Sequence, residues 1–449
     1  MASEGWRCFT WRGAPVAVLR DANPAADPVQ AQILAQARHE PAILSAGLAA
    51  LPNLRRYVAT DLGAREWLGL LDAAGTRADV VLLLPWLALG GADKYAADLV
   101  DALTAAGRGP VLALVTDQDP EAAAGWEALS VLAPYRHARV VFLRAHCAAP
   151  RVDPMMLALF LRALAPRGLV VLNSRPGLEA VARFGRGLGR TMRMFCTYFS
   201  MGIEGQGNVS GRYMPRHTLP HAVALTDNTL MQATLERLFG GIPGPGIALL
   251  PPRLAPAAEA TFAARLAARG ARAASRPARW AWVSRIEPWK GTEILAALAR
   301  RRPADAFDLH GPLEQPLGAL GLDLPNIRHH GTLQDVALAD FSTQDGFLFT
   351  SLVEGMPNIV LEMSQHALPL VLADVGGLRD TLGDDAAIFV PHGAGPEETA
   401  AAFDAALERL LAMPAGQTST MLRAARAQVL VRHSPDVHAR GVAALFGPP

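Results

Sequence analysis

Lysine is almost missing from this 449-residue chain: Lys94 and Lys290 are the only two, and every other basic residue is arginine. Cysteine is scarce too. Cys8, Cys147 and Cys196 give no even disulfide framework and no metal-ligand spacing, so they read as reduced thiols of a cytosolic protein. Charge of one sign is not in excess. A formal net charge of +1 offers no broad electrostatic basis for binding nucleic acid or an acidic surface. Long apolar runs are absent as well. Stretches such as GLVVLN are strand-sized, well short of the roughly 20 residues a spanning helix needs. The opening MASEGWRCFT has no basic-then-apolar leader pattern. A cytoplasmic protein is expected, with at most peripheral contact at the inner face of a membrane. With 51% hydrophobic and 18% charged residues, the chain can bury the cores of two or three domains.

What is present is alternation. DVVLLLP (79–85), VLALVT (111–116), RVVFLR (139–144), GLVVLN (168–173), MRMFCTYF (192–199), HAVALT (221–226) and GIALL (246–250) read as strands, separated by amphipathic helical stretches. A Pro-, Ala- and Arg-rich stretch up to residue 279 carries no strand signal and reads as a linker with a helix inside. A second series follows: WAWVS (280–284), AFDLHG (306–311), NIRHHG (326–331), DGFLFTS (345–351), LPLVLA (368–373) and AAIFVP (386–391), again with helices between. Strands alternating with helices predict parallel sheets covered on both faces. The expected domains are an extension at 1–77 with helical pieces but no clear sheet, a first Rossmann-like unit at 78–255, a linker at 256–279, a second such unit at 280–425, and a C-terminal helix at 426–449 crossing back to the first. In open sheets of this kind ligands sit beyond the C-terminal strand ends. Two such sheets face to face would make a substrate cleft.

Three segments carry chemistry. In DGFLFTSLVEGMPNIVLEMSQHALPLVLADVGG, a strand leads to a turn with Glu354 and Gly355, and Pro357 is placed to open a helix that carries Glu362. An isolated E-x7-E is an ordinary pattern of a helix-opening acid and a solvated one. Between these strands, the two carboxylates can grip two hydroxyl-bearing parts of one ligand, and the helix start favours a phosphate. In WAWVSRIEPWKGTEI, Arg285 and Lys290 follow a strand and precede a helix, where two cations can neutralise a diphosphate. A retained lysine against an arginine-rich background adds weight, since the two are not equivalent. In LLLPWLALGGADKYAADLV, Gly90 and Gly91 lie between a strand and its helix. Such glycines bring backbone N–H groups to an anion or sugar, or only pack the helix tightly.

Together, LGGADK, SRIEPWKG and EGMPNIVLE, with PNIRHHG and ALPLVLADVGG around them, resemble glycosyltransferase family 4 over about residues 79–445. That family is of the retaining, "glycosyltransferases group 1" type. The resemblance implies an α/β GT-B fold, two doubly wound Rossmann-like domains facing across a cleft. It implies retaining transfer of a hexosyl-type sugar from a nucleotide-sugar, with no metal or other cofactor, onto a glycan or lipid-linked glycan in polysaccharide or lipopolysaccharide assembly. Arg285 and Lys290 would hold the donor diphosphate and Glu354 the transferred sugar. Glu362 would bond the ribose, Gly355, Met356, Pro357, Asn358 and Ile359 would line sugar and phosphate, and Gly90 and Gly91 would face the donor. A nucleotide-sugar epimerase or hydrolase of the same fold, or a non-catalytic carbohydrate-binding relative, are the alternatives.

One departure stands out: where many relatives carry a sugar-contacting histidine, this chain has Asn173, Ser174 and Arg175. Asn173 or Ser174 is the candidate replacement. The Gly-rich stretch 200–215, with Glu204 its only acid, is a candidate acceptor loop. Asp117-Gln118-Asp119 reads as a solvated, helix-capping loop rather than a metal-binding D-x-D. Arg183, Arg186, Arg190 and Arg193 read as a solvated helix face, with anionic lipid or an acceptor diphosphate the sharper alternative. His310, His329 and His330 read as packing or backbone-bonded residues.

Overall fold

The computed structural model describes residues 6–11, 14–19, 64–75, 77–88, 90–147, 153–201, 210–271 and 277–447. In chain order the first elements are β1 (Trp6–Trp11), β2 (Ala14–Leu19) and α1 (Ala64–Ala74). β1 and β2 pair antiparallel. The expectation that residues 1–77 hold helical pieces without a sheet is corrected at this point: a six-residue strand is too short for its period to stand out from a helical one.

Two alternating series follow. The first is β3 (Val80–Leu84), α2 (Gly91–Ala105), β4 (Val111–Val115), β5 (Ala138–Phe142), α3 (Pro154–Leu164), β6 (Gly168–Val171), α4 (Arg175–Leu188), β7 (Arg193–Thr197), α5 (Ser210–Thr218), β8 (Val223–Thr226), α6 (Thr229–Phe239) and β9 (Ile247–Leu249). Helix α7 (Glu259–Ala271) leads to the second: β10 (Arg279–Val283), α8 (Thr292–Arg301), β11 (Ala306–His310), β12 (Ile327–His329), β13 (Gly346–Phe349), α9 (Asn358–Met363), β14 (Leu370–Ala373), α10 (Leu378–Leu382), β15 (Ile388–Val390), α11 (Pro396–Leu411), α12 (Ala415–His433) and α13 (Pro435–Phe446).

The strands form a seven-stranded sheet, β5-β4-β3-β6-β7-β8-β9, and a six-stranded sheet, β12-β11-β10-β13-β14-β15. Apart from the β1–β2 hairpin, the described registers are parallel. That agrees with strands such as VVLLL and VLALV, which are buried at every position, as a sheet covered on both faces requires. Helix starts are set by side-chain caps: Asp153 accepts from Met155 N at 2.7 Å, Ser174 from Gly177 N at 3.2 Å, and Asn228 from Met231 N at 2.8 Å.

Alternation along the strands of the six-stranded sheet builds two cores. Trp280, Trp282, Phe307, Leu348 and Val371 face one way, against α8 and α11. Ala281, Phe347, Phe349, Leu370 and Leu372 face the other, against α9 and α12. Both buried indoles have partners, as buried indoles require: Trp280 Nε1 donates to Asp305 Oδ2 and Trp282 Nε1 to Thr350 Oγ1, each at 3.0 Å.

By contact density the chain divides into two compact units: Met1–Ala88, Arg108–Trp126 and Tyr135–Met194, and Leu89–Gly107, Glu127–Pro134 and Phe195–Pro449. The second unit therefore holds α2, β7 to β9 and the entire six-stranded sheet. Within it α13 packs on α2, and His438 Nδ1 lies 2.9 Å from the Pro251 carbonyl.

Candidate functional site

Two strand ends of the six-stranded sheet build the site. β10 stops at Val283, and the next residues are fixed by backbone bonds: Ser284 N donates to His310 O and Ile286 N to Pro312 O, both at 3.0 Å. Arg285 projects between them. It is 47% exposed and its Nη2 lies 3.2 Å from Glu287 Oε1. Pro288–Lys290 form one tight 3-10 turn, closed by Lys290 N on Glu287 O at 3.0 Å. Gly291 then takes φ +74°, and a Cβ there would overlap the Thr350 carbonyl oxygen. That position demands glycine on both counts. The Thr350 hydroxyl accepts from Trp282 and donates to Lys290 O at 2.8 Å. The base of Lys290 is thereby tied to the buried end of the neighbouring strand.

That strand, β13, carries the other half. Past Ser351 the chain turns through Glu354, whose Oε1 lies 2.6 Å from Lys290 Nζ; both side chains are about 15% exposed. The turn is clamped from both sides. Met356 N donates to Asp227 Oδ2 and Gly377 N to Gly355 O, each at 3.0 Å. Gly355 is a close approach: a Cβ there would sit 2.6 Å from Phe199 O and 2.9 Å from Asp227 Oδ2. Pro357 occupies the N-cap position of α9, so the first helical residue is Asn358, one later than expected. Asn358 Nδ2 donates to Gly91 O at 3.1 Å, joining this turn to the glycine pair at the start of α2. Gly90 is the extended N-cap residue of α2.

Glu362 lies on α9, partly enclosed. Burial pushes its carboxyl up to about 7, against the nearby Lys94 ammonium, which lowers it. Lys94 itself is held by Asp98 at 2.9 Å and by the Arg253 carbonyl at 3.0 Å. Arg285, Lys290, Glu354 to Ile359, Glu362, Gly90 and Gly91 therefore all lie in the second unit. Of these, Met356 has its N–H committed to Asp227, so that group does not itself face a ligand.

The remaining candidates lie elsewhere. Ser174 is fully buried, its hydroxyl spent on the α4 cap and on Thr116 Oγ1 at 2.9 Å, so it presents nothing to a sugar. Asn173 is exposed, with φ +54°. Glu204 lies outside the described residues. Asp117 bonds Thr116 at 2.7 Å and Asp119 pairs with Arg144 at 3.1 Å. Asp119 stands at the N-cap position of a short 3-10 turn but makes no capping bond, which corrects the helix-capping expectation. Arg183, Arg186, Arg190 and Arg193 are exposed on or just after α4. His329 Nε2 is 2.9 Å from Gly311 O, His330 Nε2 is 2.8 Å from Asp308 Oδ1, and the His310 and His330 rings stack at 4.9 Å.

Sequence reasoning missed Asp227. It follows strand β8 in LTDNT, where an Asp-Asn pair reads as a helix cap. Asn228 is that cap; the Asp227 carboxylate is buried and accepts from Met356 N. The cluster in which Arg253 meets Asp98 at 2.7 Å and Asp101 at 2.6 Å, some 150 residues away, left no trace in the sequence either.

Residues 278–411 match the family model described as Glycosyl transferases group 1. By sequence, no curated protein matches the chain. Among solved structures it is similar to the sucrose-phosphate synthase tll1590 of Thermosynechococcus elongatus, with 18% identity, TM-score 0.59 and coverage of 82% of this chain and 98% of that one. It is similar to Anabaena Alr3699/HepE in complex with UDP-glucose, with 15% identity, TM-score 0.58 and coverage of 82% and 99%. It is also similar to the lipopolysaccharide outer core galactosyltransferase WaaB in its apo form, with 11% identity, TM-score 0.55 and coverage of 82% and 98%.

Proposed function

We propose, for a chain whose residues 278–411 match the group 1 glycosyl transferases and whose fold is that of GT-B enzymes, that it transfers a hexosyl-type sugar from a nucleotide-sugar to a glycan or lipid-linked glycan. The transfer retains configuration and needs no metal. The observation that carries this reading is the meeting of Lys290 and Glu354 across two adjacent strand ends; Arg285 is on the Lys290 loop, paired with Glu287.

In this reading the sugar's anomeric carbon parts from the diphosphate oxygen, leaving positive charge on the ring and negative charge on the phosphate. Lys290 and Arg285 stabilise the phosphate as that charge grows, the role a metal plays elsewhere. Glu354 contacts the transferred sugar. The acceptor hydroxyl forms the new bond on the same face, and its proton passes to the departing phosphate oxygen, so no protein base is required. Glu362 accepts from the ribose hydroxyls, and the start of α9 with Gly90 and Gly91 lines the donor. Asn173 is the remaining candidate for the sugar contact at the end of β6. Among the described residues no helix is long and apolar enough to cross a membrane. A lipid-linked acceptor would then be met at the membrane surface, for which the exposed arginines of α4 are the candidate contact.

Thermal stabilisation by UDP, GDP and dTDP tests donor binding and names the base; a ligand at 100 times its Kd adds about 2.7 kcal/mol. Product analysis with donor alone and with donor plus glycan acceptor then separates transfer from hydrolysis or epimerisation. No stabilisation by any nucleoside diphosphate would sink the proposal.

A further inference from the structure

Asp227 is buried, and among the described residues it forms no ion pair. Among the described residues its close partners are N–H donors: Met356 N at 3.0 Å on Oδ2 and Asn228 Nδ2 at 2.6 Å on Oδ1. The nearby Glu354 carboxylate acts on it in the same direction as burial, raising its pKa. A buried carboxylate in such surroundings is costly. Helix capping does not account for it. Asn228 performs the capping of α6 with its own Oδ1, and its Nδ2 also reaches Phe199 O at 3.2 Å.

The position of Asp227 on the Glu354 turn does account for it. In Gly355-Met356-Pro357 the proline has no N–H, which leaves the Met356 N–H as a donor of this turn. Asp227 takes it. Gly377 N also holds Gly355 O, and the space a Cβ at Gly355 would need is taken by the Asp227 carboxylate, at 2.9 and 3.0 Å. The Glu354 backbone thus has one short path to the end of β8, two residues long, and it ends on one carboxylate.

We propose that Asp227 is a positioning residue of the donor site: through the Met356 N–H it sets the place of Glu354, and with it the Lys290–Glu354 pair, against the transferred sugar. The inference rests on the donor-site reading above. Burial raises the Asp227 carboxyl to about 7, the N–H donors opposing.

The test compares wild type with Asp227→Ala and Asp227→Asn in two measurements. Hydrogen exchange without any ligand reads the clamp, and it should speed about 10-fold or more over residues 352–363 in Asp227→Ala. Steady-state kinetics with UDP-glucose as the probe donor read its consequence. Asp227→Ala should lose about 10- to 100-fold in kcat, the scale of a small misplacement of a reacting group, with the donor KM within about 3-fold. Asp227→Asn keeps one oxygen for the Met356 N–H and should recover most of that kcat. It also serves if the alanine variant does not fold, since its exchange and kcat should then fall between wild type and a turn left unclamped. Wild-type exchange in both variants, wild-type kcat despite faster exchange, or a loss confined to KM would each overturn the proposal. A wild-type protein that is not stabilised by UDP, GDP or dTDP and does not turn over UDP-glucose would instead sink the donor-site reading, and the exchange result would still decide the clamp.

Discussion

The ammonium of Lys290 lies 2.6 Å from the carboxylate of Glu354, a residue 64 positions away in the chain. Adjacent strands explain the meeting: β10 and β13 are hydrogen-bonded neighbours, and each of these residues follows the C-terminal end of its strand. The two charges neutralise each other in a partly buried setting. On the proposed reading, the donor diphosphate would compete with Glu354 for Lys290, and the sugar would replace Lys290 at Glu354.

This exchange of partners makes opposite predictions for the two residues. Lys290→Ala should lower turnover about 100-fold, the loss expected for one charge-stabilising donor, and weaken UDP binding as well. Glu354→Gln should also lower turnover about 10-fold or more, yet bind UDP at least as tightly as wild type, because the ammonium is released for the phosphate. Calorimetric titration with UDP, set beside initial rates, separates the two. Weaker UDP binding in Glu354→Gln would refute the competition.

Arg285 differs from Lys290 in its surroundings. It is nearly half exposed, and among the described residues its ion pair is with the buried Glu287 at 3.2 Å. Arg285→Ala leaves that buried carboxylate without its partner and should lower the melting temperature by a few degrees, while lowering turnover about 100-fold. A melting scan and a rate measurement on the same preparation check both halves. Wild-type turnover would remove Arg285 from the site.

How much of this was legible in the sequence follows from how local each feature is. The two doubly wound sheets show in runs such as VVLLL and WAWVS, because burial on both faces leaves an apolar signature that needs no partner to be seen. The meeting of Lys290 and Glu354 was legible because each follows the end of a strand, and parallel neighbours bring such places together. Asp227 was not. Its role depends on the approach of Met356 from 129 residues away, and locally it is one more polar residue before a helix. Ser174 misled for the converse reason: its position at a strand tip suggested access, while the adjoining helix claims its hydroxyl as a cap. Lys94 drew notice as a rare lysine, and its place is beside Asp98 and the Arg253 carbonyl.

Gly355 offers a test of how tightly the turn is held. A methyl group there would press on Phe199 O at 2.6 Å and on both Asp227 oxygens at 2.9 and 3.0 Å. Neither a backbone carbonyl nor a buried carboxylate can easily yield. Gly355→Ala should cost about 1–3 kcal/mol of stability, the range for overpacking a filled site, and lower turnover by more than Lys290→Ala does, since it displaces Glu354 and the α9 start together. Denaturant unfolding and initial rates measure the two effects. A variant with wild-type values for both would mean the turn is free to shift.

The titration of Glu362 carries the last prediction. Its carboxyl is raised from the ordinary 4.5 to about 7 by burial, with Lys94 acting in the lowering direction. A folded-state value above the unfolded one means that the native chain holds the proton more strongly. The stability this contributes is full below about pH 4.5 and is lost as pH rises through about 7. Asp227, raised to about 7 by burial, acts with the same sign. His366 and His433, lowered to about 4 by burial, act with the opposite sign between about pH 4 and 6.5, so the wild-type curve alone is a mixture. The difference between wild type and Glu362→Gln isolates one group: wild-type melting should fall relative to the variant as pH is raised from 5 to 8. Nucleotide binding should run the other way. The ionised carboxylate is the better acceptor for ribose hydroxyls, so wild-type affinity for UDP should rise as pH passes 7, while Glu362→Gln should bind about 10-fold more weakly at pH 8 with no such rise. Parallel pH profiles of affinity in the two proteins would show that Glu362 does not touch the nucleoside.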